Sequence, residues 1–109
     1  MAQVAMVNSS NFNTEVMQAS EPVLIDFWGD NCAPCKMMVP VLERLAQKFE
    51  GQLKIVKCNA IENQELAMQY GVMNMPTFLL LKNGQVVEQL IGAMSEVRLS
   101  DKIIAAINS

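Results

Sequence analysis

The sequence contains no histidine, and that absence removes more chemistry than any other feature of it. Ser-His-Asp and Cys-His hydrolases, His-ligated zinc and imidazole pH switches all need a ring the chain lacks. Charge is also sparse: Asp, Glu, Lys and Arg make up 17% of 109 residues, with 8 basic against 11 acidic side chains and a net charge of −3. That balance offers no basic footprint for nucleic acid. No apolar run approaches the ~20 residues that a bilayer span needs, so no membrane association is expected. Five glycines and four prolines are too few for a collagenous or low-complexity chain. Three cysteines, Cys32, Cys35 and Cys58, are too few and too odd in number for a secreted disulfide framework. The first eight residues have neither the basic flank nor the apolar stretch of a secretory signal. With Met1 in place, an unprocessed cytoplasmic protein is expected.

What remains is a globular composition, 51% apolar, at a length that makes residues 1–109 one domain. A chain of this size buries roughly 65% of its unfolded surface, enough for a core without staples. Val4–Val7 is a weak strand candidate. Asn11–Ala19 reads as a short helix capped by Ser10 or Asn11, because Phe12 and Val16 lie four apart. Val23–Trp28 is near-continuously apolar, the pattern of a strand covered on both faces. Met38, Leu42, Leu45 and Phe49 form one stripe of a helix over Ala33–Phe49, with Pro40 expected to kink it and Gly51 to end it. Leu53–Cys58 is the next strand and Asn63–Tyr70 a short helix stopped by Gly71. Thr77–Leu81 and Gln85–Ile91 flank Asn83-Gly84, a strong hairpin signal. Ser95 can cap a last helix carrying Leu99, Ile103 and Ile107 on one face. The order βαβαβαββα predicts an α/β fold, a central mixed sheet with helices on both faces. Its site is expected at the carboxyl edge of a central strand, after Trp28.

Cys32-Ala33-Pro34-Cys35 stands at that edge. Two cysteines three apart at a helix start share a face, with Cα atoms ~5 Å apart, a separation a disulfide spans. Unpaired amides at the helix start favour a thiolate at Cys32. Pro34 fits the first turn, where a missing N–H costs nothing. Cys35, one turn deeper, should be more buried and stay protonated. Cys32 would then attack a substrate disulfide and Cys35 resolve the mixed disulfide. A zinc half-site has the same spacing, but zinc wants four ligands and the chain offers one more cysteine and no histidine, so no metal is expected. A purely structural disulfide does not suit a reducing compartment.

Asp26 interrupts the apolar strand six residues before Cys32. Buried, it would have a raised pKa and could exchange a proton with Cys35; at a frayed strand end it would simply face water. Lys57 is equally open, either paired with Asp26 across neighbouring strands or snorkelling to solvent. Pro76 cannot sit inside a central strand and marks the start of one. A cis Met75–Pro76 bond would leave the Met75 backbone free beside the active loop, able to hold an extended segment by strand addition. Pattern alone favours trans, because cis forms are only about 5–6% of X-Pro bonds. Met37, Met38, Met73 and Met75 suggest a soft apolar collar around the cysteines, against the plainer reading of methionines as core filler. Cys58 reads as a buried small hydrophobe.

Taken together, Asp26-Phe27-Trp28, Cys32-Ala33-Pro34-Cys35-Lys36, Pro40, Lys57, Met75-Pro76-Thr77, Lys82-Asn83-Gly84 and Gly92-Ala93 resemble the thioredoxin family over nearly the whole chain. The resemblance implies a thioredoxin fold and a monomeric protein disulfide reductase with no bound cofactor. Its redox-active disulfide would be Cys32–Cys35, re-reduced by a thioredoxin reductase. It assigns Cys32 as nucleophile, Cys35 as resolving thiol, Asp26 as buried proton-transfer group with Lys57 beside it, and Pro76 as a cis proline. Substrate contact falls to Trp28, Asn31, Ala33, Pro34, Met75, Pro76 and Gly92. The chain departs from the family pattern Trp-Cys-Gly-Pro-Cys at Asn31 and Ala33, and Met73-Asn74-Met75 replaces smaller or β-branched residues. Gly29-Asp30-Asn31 therefore makes a small, acidic approach to Cys32, and Asp30 should oppose its thiolate. The competing readings are a non-catalytic binding module using the methionine surface and an oxidase or isomerase on the same fold.

Overall fold

Alternation along one central strand organises the molecule. A computed structural model describes residues 4–109, and strand β2 (Val23–Trp28) is buried on both faces except at its last residue. Successive strand side chains point to opposite sides. Val23, Ile25 and Phe27 therefore enter one apolar cluster, while Leu24 enters the other. Asp26 shares the Leu24 side by the same alternation.

The sheet is completed by β1 (Ala5–Met6), β3 (Lys54–Asn59), β4 (Thr77–Lys82) and β5 (Gln85–Ile91), in the spatial order β1-β3-β2-β4-β5. The β1, β3 and β2 strands are parallel, whereas β4 and β5 run antiparallel to their neighbours. The mixed sheet expected from the order of elements is present. Asn83 and Gly84 both have positive φ, 53° and 78°, the conformation that matches a two-residue turn to strand twist. Leu80 pairs with Glu88 and Leu81 with Val86, so Val87 has no opposite number. This bulge bends the exposed edge strand away from regular pairing.

Helix α1 (Ala33–Lys48) and helix α3 (Glu96–Ile107) cover one face of the sheet, where Met38, Leu42, Leu45, Leu99 and Ile103 meet Leu24, Phe78 and Leu80. On the other face, Leu66 and Ala67 of α2 (Gln64–Gln69) join Phe12, Val16 and Phe27. Ser95 caps α3 as expected, its hydroxyl oxygen accepting the Arg98 amide at 3.2 Å. Pro40 lies inside α1 without ending it, and the Lys36 carbonyl loses its partner one turn on. Gly51, with φ +84°, falls two residues past the Phe49 cap.

Several expectations need correction. The strand expected over Val4–Val7 shortens to Ala5–Met6. The helix expected over Asn11–Ala19 is a single wide turn, Asn13–Met17, in which the Gln18 amide reaches the Asn13 carbonyl five residues back at 3.0 Å. Neither Ser10 nor Asn11 caps it. Asn8 does the local work instead, its Oδ1 accepting the Ser10 and Asn11 amides at 2.9 and 3.1 Å. Phe12 and Val16 still point inward, because four-residue spacing serves one wide turn as well as an α-helix.

Leu24 is fully buried between β2 and α1. Truncation in Leu24→Ala should cost about 3 kcal/mol of unfolding free energy through lost contacts and a residual cavity, measured by urea denaturation with the Cys32–Cys35 pair kept oxidised in both chains.

Candidate functional site

The site begins where β2 ends. Gly29, Asp30 and Asn31 turn the chain from the sheet into α1. Asn31 adopts φ 58°, a left-handed conformation that its short amide side chain tolerates better than most. Cys32 follows as the cap of α1, with extended backbone, and its Sγ accepts the Cys35 amide at 3.2 Å. A sulfur thus takes the place usually held by a serine or aspartate oxygen. The Cys32 carbonyl accepts the Lys36 amide at 3.1 Å, so the helical ladder starts at this residue. Pro34 sits in the first turn, where it removes no needed donor.

Cys32 and Cys35 are joined in a disulfide with Cα atoms 5.3 Å apart. Cys35 is 4% exposed, whereas Cys32 is only half-buried. Access and amide donation both favour reaction and ionisation at Cys32, since the free amides and aligned peptide dipoles at a helix start stabilise negative charge.

The second wall comes from the segment before β4. The Met75–Pro76 bond is cis, which corrects the trans form favoured by pattern alone. The Met75 carbonyl oxygen stands 3.7 Å from Cys32 Sγ. Two hydrogen bonds hold this corner: the Gly92 amide donates to the Pro76 carbonyl at 2.8 Å, and the Thr77 hydroxyl donates to the Asn74 carbonyl at 2.6 Å. Gly92, Met75 and Cys32 are thereby gathered from three distant parts of the chain.

Beneath the disulfide is a cavity of about 290 Å³ bordered by Asp26, Trp28, Cys35, Lys36, Val39 and Lys57, among others. Asp26 is 2% exposed and its Oδ1 has no hydrogen-bond partner. Burial raises its pKa from 3.8 to about 7, and the Lys57 charge pulls against that rise. Asp26 and Lys57 are register partners on β2 and β3, and the Lys57 ammonium lies 5.8 Å from the centre of the Trp28 ring. Of the two readings open for each residue, Asp26 is buried and Lys57 is turned to its side. A carboxyl group near neutral pKa in a cavity shared with Cys35 is suited to passing a proton either way.

Asn31, Ala33 and Pro34 are exposed around Cys32, and Trp28 is half-buried at the strand end. The methionine collar is only partly present. Met75 borders the site and Met37 and Met73 are exposed, but Met38 is 2% exposed and packs in the core beneath α1. Cys58 is fully buried on the opposite face of the sheet, with its thiol pushed up to about 11 by burial. Sequence reasoning missed Val39 and Ile61. Val39 was legible, because it lies four residues after Cys35 on the same helical face. Ile61 follows β3 in a turn and carries no sequence signal for its place near Met75.

The chain matches the family model for thioredoxin over residues 3–105. It is 42% identical over 103 residues to thioredoxin 1 of Nostoc sp., covering 94% of this chain and 96% of that one. Identity is 45% to the thioredoxin of Haemophilus influenzae and 40% to thioredoxin 1 of Synechococcus elongatus, over the same shares of each chain.

The raised Asp26 pKa carries a sign that can be measured. Between pH 3.8 and about 7, the folded chain keeps a proton that the unfolded chain has released, so folding stability falls as pH rises through that window. The full loss is on the order of 4 kcal/mol. Urea unfolding of Asp26→Asn across pH 5 to 8.5 should show no such decline, leaving the variant more stable than the parent above neutrality. Lys57→Met, which removes the opposing charge, should move the Asp26 titration upward when followed by carboxyl NMR.

Proposed function

The chain belongs to the thioredoxin family, and from that membership we propose how its protein disulfide reductase activity is divided among its residues. Cys32 is the nucleophile. Its thiolate attacks one sulfur of a client disulfide, the second client sulfur leaves with the electron pair, and a mixed disulfide joins client to Cys32. Cys35 resolves it. Asp26 takes the Cys35 proton, the resulting thiolate attacks Cys32 Sγ, and the first client sulfur leaves and is protonated from solvent. The second client thiolate likewise takes a proton from solvent and Asp26 releases the Cys35 proton to solvent, so the client has gained two electrons and two protons and Cys32–Cys35 is the disulfide left behind.

The observation that carries this reading is the unequal setting of the two sulfurs. The outer one caps a helix and meets the surface, while the inner one is closed in beside a carboxyl group. Lys57 is the counter-charge that keeps Asp26 able to ionise near neutrality. The Met75 backbone beside Cys32 holds an extended client segment by strand-type hydrogen bonds. Trp28, Asn31, Ala33, Pro34, Pro76 and Gly92 form the surrounding contact surface. The dithiol itself stores the electrons, so the cycle calls on no bound cofactor, and a thioredoxin reductase in the cytoplasm closes it. No helix among the described residues is long and apolar enough to cross a membrane.

Three variants test the assignment against a disulfide-bonded protein client. Cys32→Ser should abolish turnover. Cys35→Ser should accumulate mixed disulfides visible on non-reducing gels. Asp26→Asn should slow release of the mixed disulfide at pH 7 by about a hundredfold, the size of a lost general base. Full turnover in Cys32→Ser would overturn the assignment of Cys32 as the nucleophile.

A further inference from the structure

Four of the five glycines, Gly51, Gly71, Gly84 and Gly92, have positive φ and so occupy backbone that other residues rarely adopt. Gly29 is the exception. Its backbone is open to an ordinary side chain, and conformational freedom does not account for it. Space does. A Cβ built on residue 29 would stand 2.6 Å from Met75 Sδ and 3.0 Å from Met75 Cε, with Ile61 Cγ1 at 3.4 Å. Favourable contacts between such atoms begin at about 3.5 Å, so the Met75 thioether occupies the room that a side chain at residue 29 would need. Gly29 is buried three residues before Cys32, and Met75 bears the carbonyl 3.7 Å from the Cys32 sulfur.

We propose that Gly29 is a positioning residue for client recognition: by omitting a Cβ it berths the Met75 thioether inside the loop and keeps the approach to the Met75 backbone and Cys32 clear. The inference rests on Met75 being the client-facing edge. A methyl group at residue 29 collides with the flexible end of Met75 rather than with backbone, so the fold survives and the thioether moves. Ile61 borders the berth on one side, and the displaced thioether must find a new position on Met75, along the edge that the client meets. The substitution therefore weakens client binding without disturbing the sulfur chemistry.

The test is a cycle of Gly29→Ala, Met75→Val and the double variant, each assayed for KM and kcat on insulin and for the rate with a small aromatic disulfide, dithiobis(nitrobenzoate). Gly29→Ala should raise KM for insulin about fivefold, the scale of forcing one side chain from its preferred rotamer, with kcat and the small-disulfide rate unchanged. In the double variant, where valine has no thioether to displace, KM should return to that of Met75→Val alone. An unchanged KM in Gly29→Ala overturns the proposal. So does a KM penalty that persists in the double variant, which would place the effect in the loop and not on Met75. An equal loss of small-disulfide rate also overturns it, because the methyl group would then act on the cysteines themselves. Failure of the underlying reading is seen separately, as insulin turnover retained in Cys32→Ser.

Discussion

One sulfur standing where a helix ordinarily has an oxygen governs this molecule. Cys32 Sγ accepts the Cys35 amide at the start of α1, and the same contact sets several properties at once. It satisfies a donor that the helix cannot pair internally, places negative charge at the favoured end of the peptide dipoles, and fixes the outer sulfur one turn above the inner one. An N-cap is worth roughly 1 kcal/mol to a helix, and a thiolate is the better acceptor. A Cys32 thiolate formed on reduction would therefore be a stronger acceptor for the same amide than the disulfide sulfur is.

The carboxyl group beneath that helix works against stability. Asp26 is placed by strand alternation on the α1 side of β2, at a position whose neighbours along that face are apolar. Burial holds its pKa near the pH at which proton exchange with a thiol is most useful. The neighbouring strand supplies Lys57, directly in register, and that one positive charge limits the cost. The arrangement is a local violation of the rule that interiors exclude unpaired charge, and it falls where a perturbed group has chemistry to do.

Much of this was legible from residue order. Asn83-Gly84 located the hairpin because few residue pairs accept two successive positive φ values. The stripe from Met38 to Phe49 located α1 because its period matches a helix turn. The Cys32–Cys35 spacing implied both the bridge and its asymmetry. What escaped notice involves partners far apart in sequence or spacings that serve two geometries. Phe12 and Val16 bury equally well from a wide turn and from an α-helix. Met37 and Met38 are adjacent and chemically alike, yet only the helix phase decides that one faces solvent and the other the core. Gly29 looks like an ordinary loop glycine until Met75, 46 residues later, is seen filling the space beside it.

The two faces of the sheet also segregate the thiols. Cys35, in the first turn of α1, shares a cavity with Asp26, while Cys58, one residue along β3 from Lys57, is carried to the other side and sealed there. Oxidative scrambling to a Cys35–Cys58 or Cys32–Cys58 isomer would require a side chain to pass through a hydrogen-bonded layer. While the sheet stands, that layer acts as a partition, and the chain can carry a spare cysteine through endless oxidation cycles without ever choosing the wrong mate.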